Sequence, residues 1–401
     1  MRRPRRNTAR SSTPARVLGA DHPDTLTSRS NLAFELMHLG RLEESEQEHR
    51  AVLDARVLVL GAEHPDTLIT RNNRAALLHD LDRLDEAERE HRVVLEVRTR
   101  LLGPDHPYTR SCHADLATTL RAMGRLEEAE REVRAGLDTC VRVLGPDHHD
   151  TLFRRDLLAA TLRDSGRTEE AEEHYRRLFD ARTRVLGRDH ADTLTSRANR
   201  AIALGELGRL REAEREHRAV LELRDRVLGP EDRSTLTSRY HLAKVVGKLG
   251  RLEEAEREHR AELEVCSRVL GPDHPDALKS RDALIAVLCE LGWLAEAERE
   301  FRSAIEIRVQ VLGPTSRDTV VCRVKRAALL LELGRQAEAA REYRLLGAIC
   351  TRILGPDYQA VLSGPDGMSV FESRLEEADR ERAGAHRTAP GQSANGLPPG
   401  S

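Results

Sequence analysis

The sequence predicts an all-α solenoid built from about eight copies of one helix–turn–helix unit. Three observations carry this. A Leu-Gly pair ends at Gly19, Gly61, Gly103, Gly145, Gly187, Gly229, Gly271, Gly313 and Gly355, with one spacing of about 42 residues throughout. A second series, Gly40, Asp82, Gly124, Gly166, Gly208, Gly250, Gly292 and Gly334, keeps the same period. Between these marks the apolar residues recur with helical rather than alternating spacing. One such hairpin cannot bury its own apolar face, so the copies must stack on one another.

In the first copy, helix A is expected at 23–39 and helix B at 42–59. Pro23 suits the first helical turn, where its missing N–H costs nothing, and Asp24 complements the helix N-terminus. Gly40 and Gly61 end the two helices by permitting left-handed backbone. Leu26, Leu32, Ala33, Leu36 and Leu39 fall on one arc of helix A; Leu42, Val52, Leu53, Val59 and Leu60 do so on helix B. Glu46 precedes Arg50 by four residues, the favourable order for a helical ion pair. Ser45 holds a position that is alanine in the other copies, small enough for two helices to approach closely.

The array is expected to span 17–355. Before it, Arg2, Arg3, Arg5 and Arg6 are followed by no apolar region, so 1–16 reads as a disordered basic leader and not a signal peptide. After it, the ninth copy fails at 363–366. Within 356–383, residues 371–383 read as a polar capping helix, and 384–401, rich in Gly, Pro and Ser, as a disordered tail.

Composition excludes several functions. With 33% charged residues and a net charge of -3, the chain lacks the basic excess of a nucleic-acid binder. No apolar run is long enough for a membrane span. The six cysteines form no CxxC pair, consistent with reduced thiols and a cytoplasmic location. No HExxH, phosphate loop, GxSxG elbow or dinucleotide fingerprint is present, so neither catalysis nor a cofactor is expected. The histidines fall into two periodic series, His22, His64, His106, His148, His190 and His274 in the linkers and His49, His91, His217 and His259 on helix B. Equivalent residues on stacked repeats stand on the order of 10 Å apart, too far to share a metal, so no metal is expected.

The block 31–53, NLAFELMHLGRLEESEQEHRAVL, resembles the tetratricopeptide repeat: its Leu-Ala pair, turn glycine and small helix-B residue are in register. The period and linkers such as LGPDHPDAL (270–278) resemble the kinesin light chain type. The resemblance implies a right-handed superhelix whose helix-A face binds a protein or an extended peptide. In bacterial relatives, actinobacterial ones included, such repeats occur alone or as sensor arms of NB-ARC signalling ATPases. It therefore leaves two alternatives: a sensor arm partnered with a signalling ATPase or transcription regulator, and a self-associating structural solenoid.

Within the chain, apolar columns are nearly constant while several helix-A columns vary, as a ligand-reading surface would. The candidate groove residues are Ser30, Asn31, Asn72, Asn73, Asp115, Arg121, Asp156, Arg163, Asn199, Tyr240, His241 and Lys244. Asparagines suit a peptide backbone because they donate and accept; Tyr240 with Lys244 suits an aromatic or acidic side chain. Arg29, Arg71, Arg155, Arg197, Arg239, Arg281 and Arg323 recur on the apolar side of helix A, as Arg56, Arg98, Arg182, Arg224 and Arg308 do on helix B. An unpaired buried guanidinium is costly, so a structural ladder to the loop acids Asp21, Glu63, Asp105, Asp147, Asp189, Glu231, Asp273 and Asp357 is expected. Cys112 and Cys140, and Cys322 and Cys350, replace ladder and neighbouring positions in pairs, which predicts that each pair lies close together.

Overall fold

The computed structural model describes residues 18–354. The ends expected to be a leader, a capping helix and a tail lie outside the described residues. Among those described, sixteen α-helices alternate and no strand occurs. The helix A members are α1 (Pro23–His38), α3 (Pro65–Asp80), α5 (Pro107–Ala122), α7 (His149–Asp164), α9 (Ala191–Glu206), α11 (Arg233–Lys248), α13 (Pro275–Glu290) and α15 (Arg317–Glu332). Their helix B partners are α2 (Leu42–Leu60), α4 (Leu84–Leu102), α6 (Leu126–Leu144), α8 (Thr168–Leu186), α10 (Leu210–Val227), α12 (Leu252–Val269), α14 (Leu294–Val311) and α16 (Gln336–Leu354). The molecule is a solenoid of helical repeats that divides into two compact units, Met1–Ala213 and Glu214–Ser401.

The linker histidines have a role the spacing alone did not reveal. In six of the copies the ring Nδ1 accepts the N–H two residues on, as His22 does from Asp24 at 3.2 Å and His274 from Asp276 at 3.1 Å. They are N-caps, a position normally held by Ser, Thr, Asp or Asn; Asp232 and Ser316 take it in the remaining two. The second series is core: His49, His91, His217 and His259 are at most 2% exposed. Burial lowers all four, with His217 and His259 brought down to about 4, so they pack as neutral rings.

The arginine ladder exists with different partners. The helix-A arginines pair across their own hairpin: Arg29 with Glu48 at 2.9 Å, Arg71 with Glu90 at 2.7 Å, Arg281 with Glu300 at 2.5 Å and Arg323 with Glu342 at 3.0 Å. Arg239 lies 3.7 Å from Glu258. In the copy that carries Arg155 the matching helix-B position is His174 instead of glutamate, and Arg155 has no ion pair among the described residues; Arg197 lies over the Phe179 ring at 5.7 Å. The loop acids instead take arginines near the end of the following helix B: Glu63 with Arg100, Asp105 with Arg142, Asp147 with Arg184 and Glu231 with Arg268. The expectation misjudged reach. Arg29 stands more than one turn inside α1, and an antiparallel hairpin brings helix B, not the preceding loop, alongside it.

The buried helix-B arginines cross to the next repeat. Arg56 donates to the Asp66 carbonyl at 3.0 Å and the Thr70 hydroxyl at 2.7 Å; Arg224 donates to Ser234 and Ser238 in the same way. Cys112 and Cys322 occupy the hydroxyl's place under Arg98 and Arg308, at 3.2 and 3.7 Å. All six cysteines are free thiols. Where helix B carries Cys140 instead of arginine, the next helix A supplies the guanidinium, as Arg154 in a column of Ser, Thr and Cys. Gly136 makes the space: a Cβ there would stand 3.2 Å from Arg154 Nε.

Candidate functional site

Helix A carries the variable columns, and the two units treat them differently. In the first unit several of the polar members are bonded within the fold. Asn72 donates to Asp115 at 3.1 Å, and Asn199 to Asp156 at 3.4 Å. Asp156 also accepts from the buried Arg182 at 3.0 Å. Arg121 and Arg163 both meet Asp164, each at 3.3 Å. Ser30 and Asn73 are half-buried and Asn31 is exposed. Of the asparagines Asn31, Asn73 and Asn199, which suit a peptide backbone, Asn199 is bonded to the neighbouring repeat through Asp156.

In the second unit the same columns hold an aromatic cluster, lysines and small side chains. Tyr240 is half-buried on α11. The His241 ring lies edge-on to it at 5.3 Å and the His259 ring at 5.6 Å, while His217 and His241 stack at 5.8 Å. Lys279 of α13 reaches over the Tyr240 ring, 4.8 Å from its centroid, within cation–π range. Lys244 is exposed one turn further along α11.

Between α13 and α15 lies a cavity of about 440 Å³, a size typical of ligand sites. Its floor is Ile285, Phe301 and Leu329, with Ala286, Ala328 and Cys289 keeping it open. At its edge Asp282 is tied to Arg308 at 2.6 Å, whereas Asp318, Lys325 and Glu332 have no ion pair among the described residues. Three of its lining residues, Asp282, Lys325 and Cys289, belong to the variable helix-A columns, although none is among the candidate groove residues.

One compositional signal could have found it. The chain has 65 basic residues, yet lysine occurs only as Lys244, Lys248, Lys279 and Lys325. All four lie on α11, α13 and α15, and none forms an ion pair among the described residues. The scaffold's cations are arginines, whose planar fork suits fixed carboxylate pairs; lysine is a mobile point charge.

No group of side chains among the described residues could hold a metal ion, and no described helix is long and apolar enough to cross a membrane. Among curated proteins, none matches this sequence. Solved structures similar in fold include the apo form of NprR, a quorum sensor of B. thuringiensis, at 16% identity, 81% of this chain, 87% of that chain and a TM-score of 0.59. NprR in complex with its cognate peptide NprX aligns at 18% identity, 80% and 86% coverage and 0.49. A kinesin light chain repeat structure from Podospora anserina aligns at 22% identity, 52% and 98% coverage and 0.48. Models of the tetratricopeptide repeat match 26–92, 67–140, 116–183, 153–226, 199–260 and 320–344. Those windows cover more than half of the sequence and fall on the helix pairs described above, so the chain belongs to the tetratricopeptide-repeat family.

Proposed function

We propose that this protein is a scaffold that seats an acidic peptide or protein segment on the helix-A face of its second unit. A large apolar side chain of the ligand fills the cavity between α13 and α15. Its carboxylates meet Lys244, Lys279 and Lys325. The observation that carries the reading is the cavity of about 440 Å³ in a face that also holds every lysine of the chain. Unpaired ammonium groups beside an apolar pocket give both an anchor and a charge preference. In the first unit Asn72 is bonded to Asp115 and Asn199 to Asp156 across neighbouring repeats. NprR, which has a cognate peptide, supports the general reading of a peptide-binding solenoid. The sensor-arm and self-association alternatives have no comparable support in the residues.

The test is fluorescence anisotropy with labelled ten-residue peptides, each bearing one large apolar residue among acidic, neutral or basic neighbours. Acidic peptides should bind the wild type. Ala328→Arg, which fills the cavity from an exposed position, should weaken them at least tenfold. Lys325→Glu should do so for acidic peptides alone, and Asn31→Ala should change nothing. Equal affinity for acidic and basic peptides, or no effect of Ala328→Arg, would refute the site.

A further inference from the structure

Glu262 of α12 breaks the pattern of its column. The equivalent residues include Val52, Val94, Leu178, Val220 and Leu346. Glu262 is 2% exposed, and its Oε2 has no hydrogen-bond partner among the described residues. One turn on, Cys266 stands where Arg224 and Arg308 carry the guanidinium that crosses to the next repeat. This inter-repeat contact has lost a buried cation and gained a buried carboxyl. Such a site tolerates the carboxylic acid and penalises the carboxylate.

The charged and titratable groups facing it come from three helices. They are Arg239 and Tyr240 of α11, Cys266 of α12, and Asp276 and Lys279 of α13, beside Ser280, whose hydroxyl donates to the Asp276 carbonyl at 2.9 Å. Burial pushes the Glu262 carboxyl up to about 7; Ser280, Arg239 and Lys279 pull the other way, and Asp276 adds to the rise. Lys279 is the cation that also lies over Tyr240 on the groove side.

We propose that Glu262 is a proton switch beneath the groove of the second unit. Protonated, it is a neutral core residue and leaves the Lys279 ammonium to the Tyr240 ring and the groove. Ionised, it draws Lys279 and Arg239 toward itself and withdraws the lysine's charge from a ligand. Affinity for an acidic segment then falls as pH rises through neutrality. That consequence rests on the proposed function, whereas the switch itself does not.

The scarcity of lysine makes the switch directly observable. With the four lysines labelled at Cε, heteronuclear NMR of the full chain follows each from pH 5.5 to 8.5 without ligand. The Lys279 signal should report the Glu262 carboxyl, moving with a midpoint near 7, and the Lys325 signal should stay in place. In Glu262→Gln, and in Glu262→Val with the residue of α2, α4 and α10, the Lys279 signal should be flat. A flat Lys279 signal in the wild type would overturn the switch. So would an unchanged titration in both variants, which would assign it to His241 or another neighbour. Because no peptide is present, this failure is distinct from failure of peptide binding.

Discussion

The first and second units are built on the same columns and differ in what those columns touch. In the first, Asn72, Asp115, Asp156, Asn199 and Arg121 are engaged with residues of the fold. In the second, Tyr240, the lysines and a row of small residues leave a cavity and free charge. Variation between repeats therefore has two meanings. A polar residue whose neighbouring repeat supplies a complementary group is part of the scaffold. A point charge or a deletion of volume without a complement is available to a ligand.

The largest way to break this comparison is acid. Burial depresses His217 and His259 to about 4 in the folded second unit, against 6.5 for the free side chain. A folded value below the unfolded one means that their contribution is complete above about pH 6.5 and is lost as pH falls toward 4, by up to about 3 kcal/mol each. Glu262 works in the opposite direction: its raised value costs stability as pH rises from about 4.5 to about 7. Hydrogen exchange should show protection around α10–α12 falling more steeply with acid in Glu262→Gln than in the wild type. In His217→Phe the acid loss should shrink. Identical pH profiles in all three proteins would contradict the assigned environments.

A smaller test compares one ion pair in two settings. Arg182 and Arg308 are both buried, but Asp156 is 21% exposed and Asp282 is 52% exposed. Truncation to alanine strands a carboxylate in each case, and the less hydrated one suffers more. Urea unfolding should give about 3 kcal/mol for Arg182→Ala and about half that for Arg308→Ala. Equal losses would mean that the second groove is as closed as the first.

Two substitutions should stabilise. Tyr175 is fully buried in the first unit and its hydroxyl has no partner among the described residues. Tyr175→Phe removes an unsatisfied group and should gain about 1 kcal/mol, read as a higher urea midpoint. Asp82 is the one non-glycine residue described at positive φ, 58°, in a turn where Gly40 and Gly124 sit at 72° and 74°. Asp82→Gly should gain roughly 0.5 kcal/mol, and a loss would show that the Asp82 side chain caps the turn.

The helices, their bounds within a residue or two, and the turn glycines were legible because they follow from local rules repeated along the chain. Pro23, Asp24 and Gly40 act on their own backbone. The identity of each arginine's partner was not legible. Arg29 has acids available both in the preceding loop and across the hairpin, and only the packing decides that Glu48 is in reach. The period of the linker histidines shows only that they are too far apart to share a metal, and their capping role rests on the extended backbone at His22.

The sequence by itself determined the repeat, the all-α class and the family, because a strict period forces equivalent residues into equivalent environments. It also restricted lysine to three helices, a pattern visible without coordinates. Only the tertiary structure decided which variable residues face one another and which face open space. That distinction depends on side chains from adjacent repeats, more than forty residues apart along the chain in pairs such as Asn72 and Asp115. Residue identity fixes what a side chain can bond to; distance in the folded solenoid fixes whether it does.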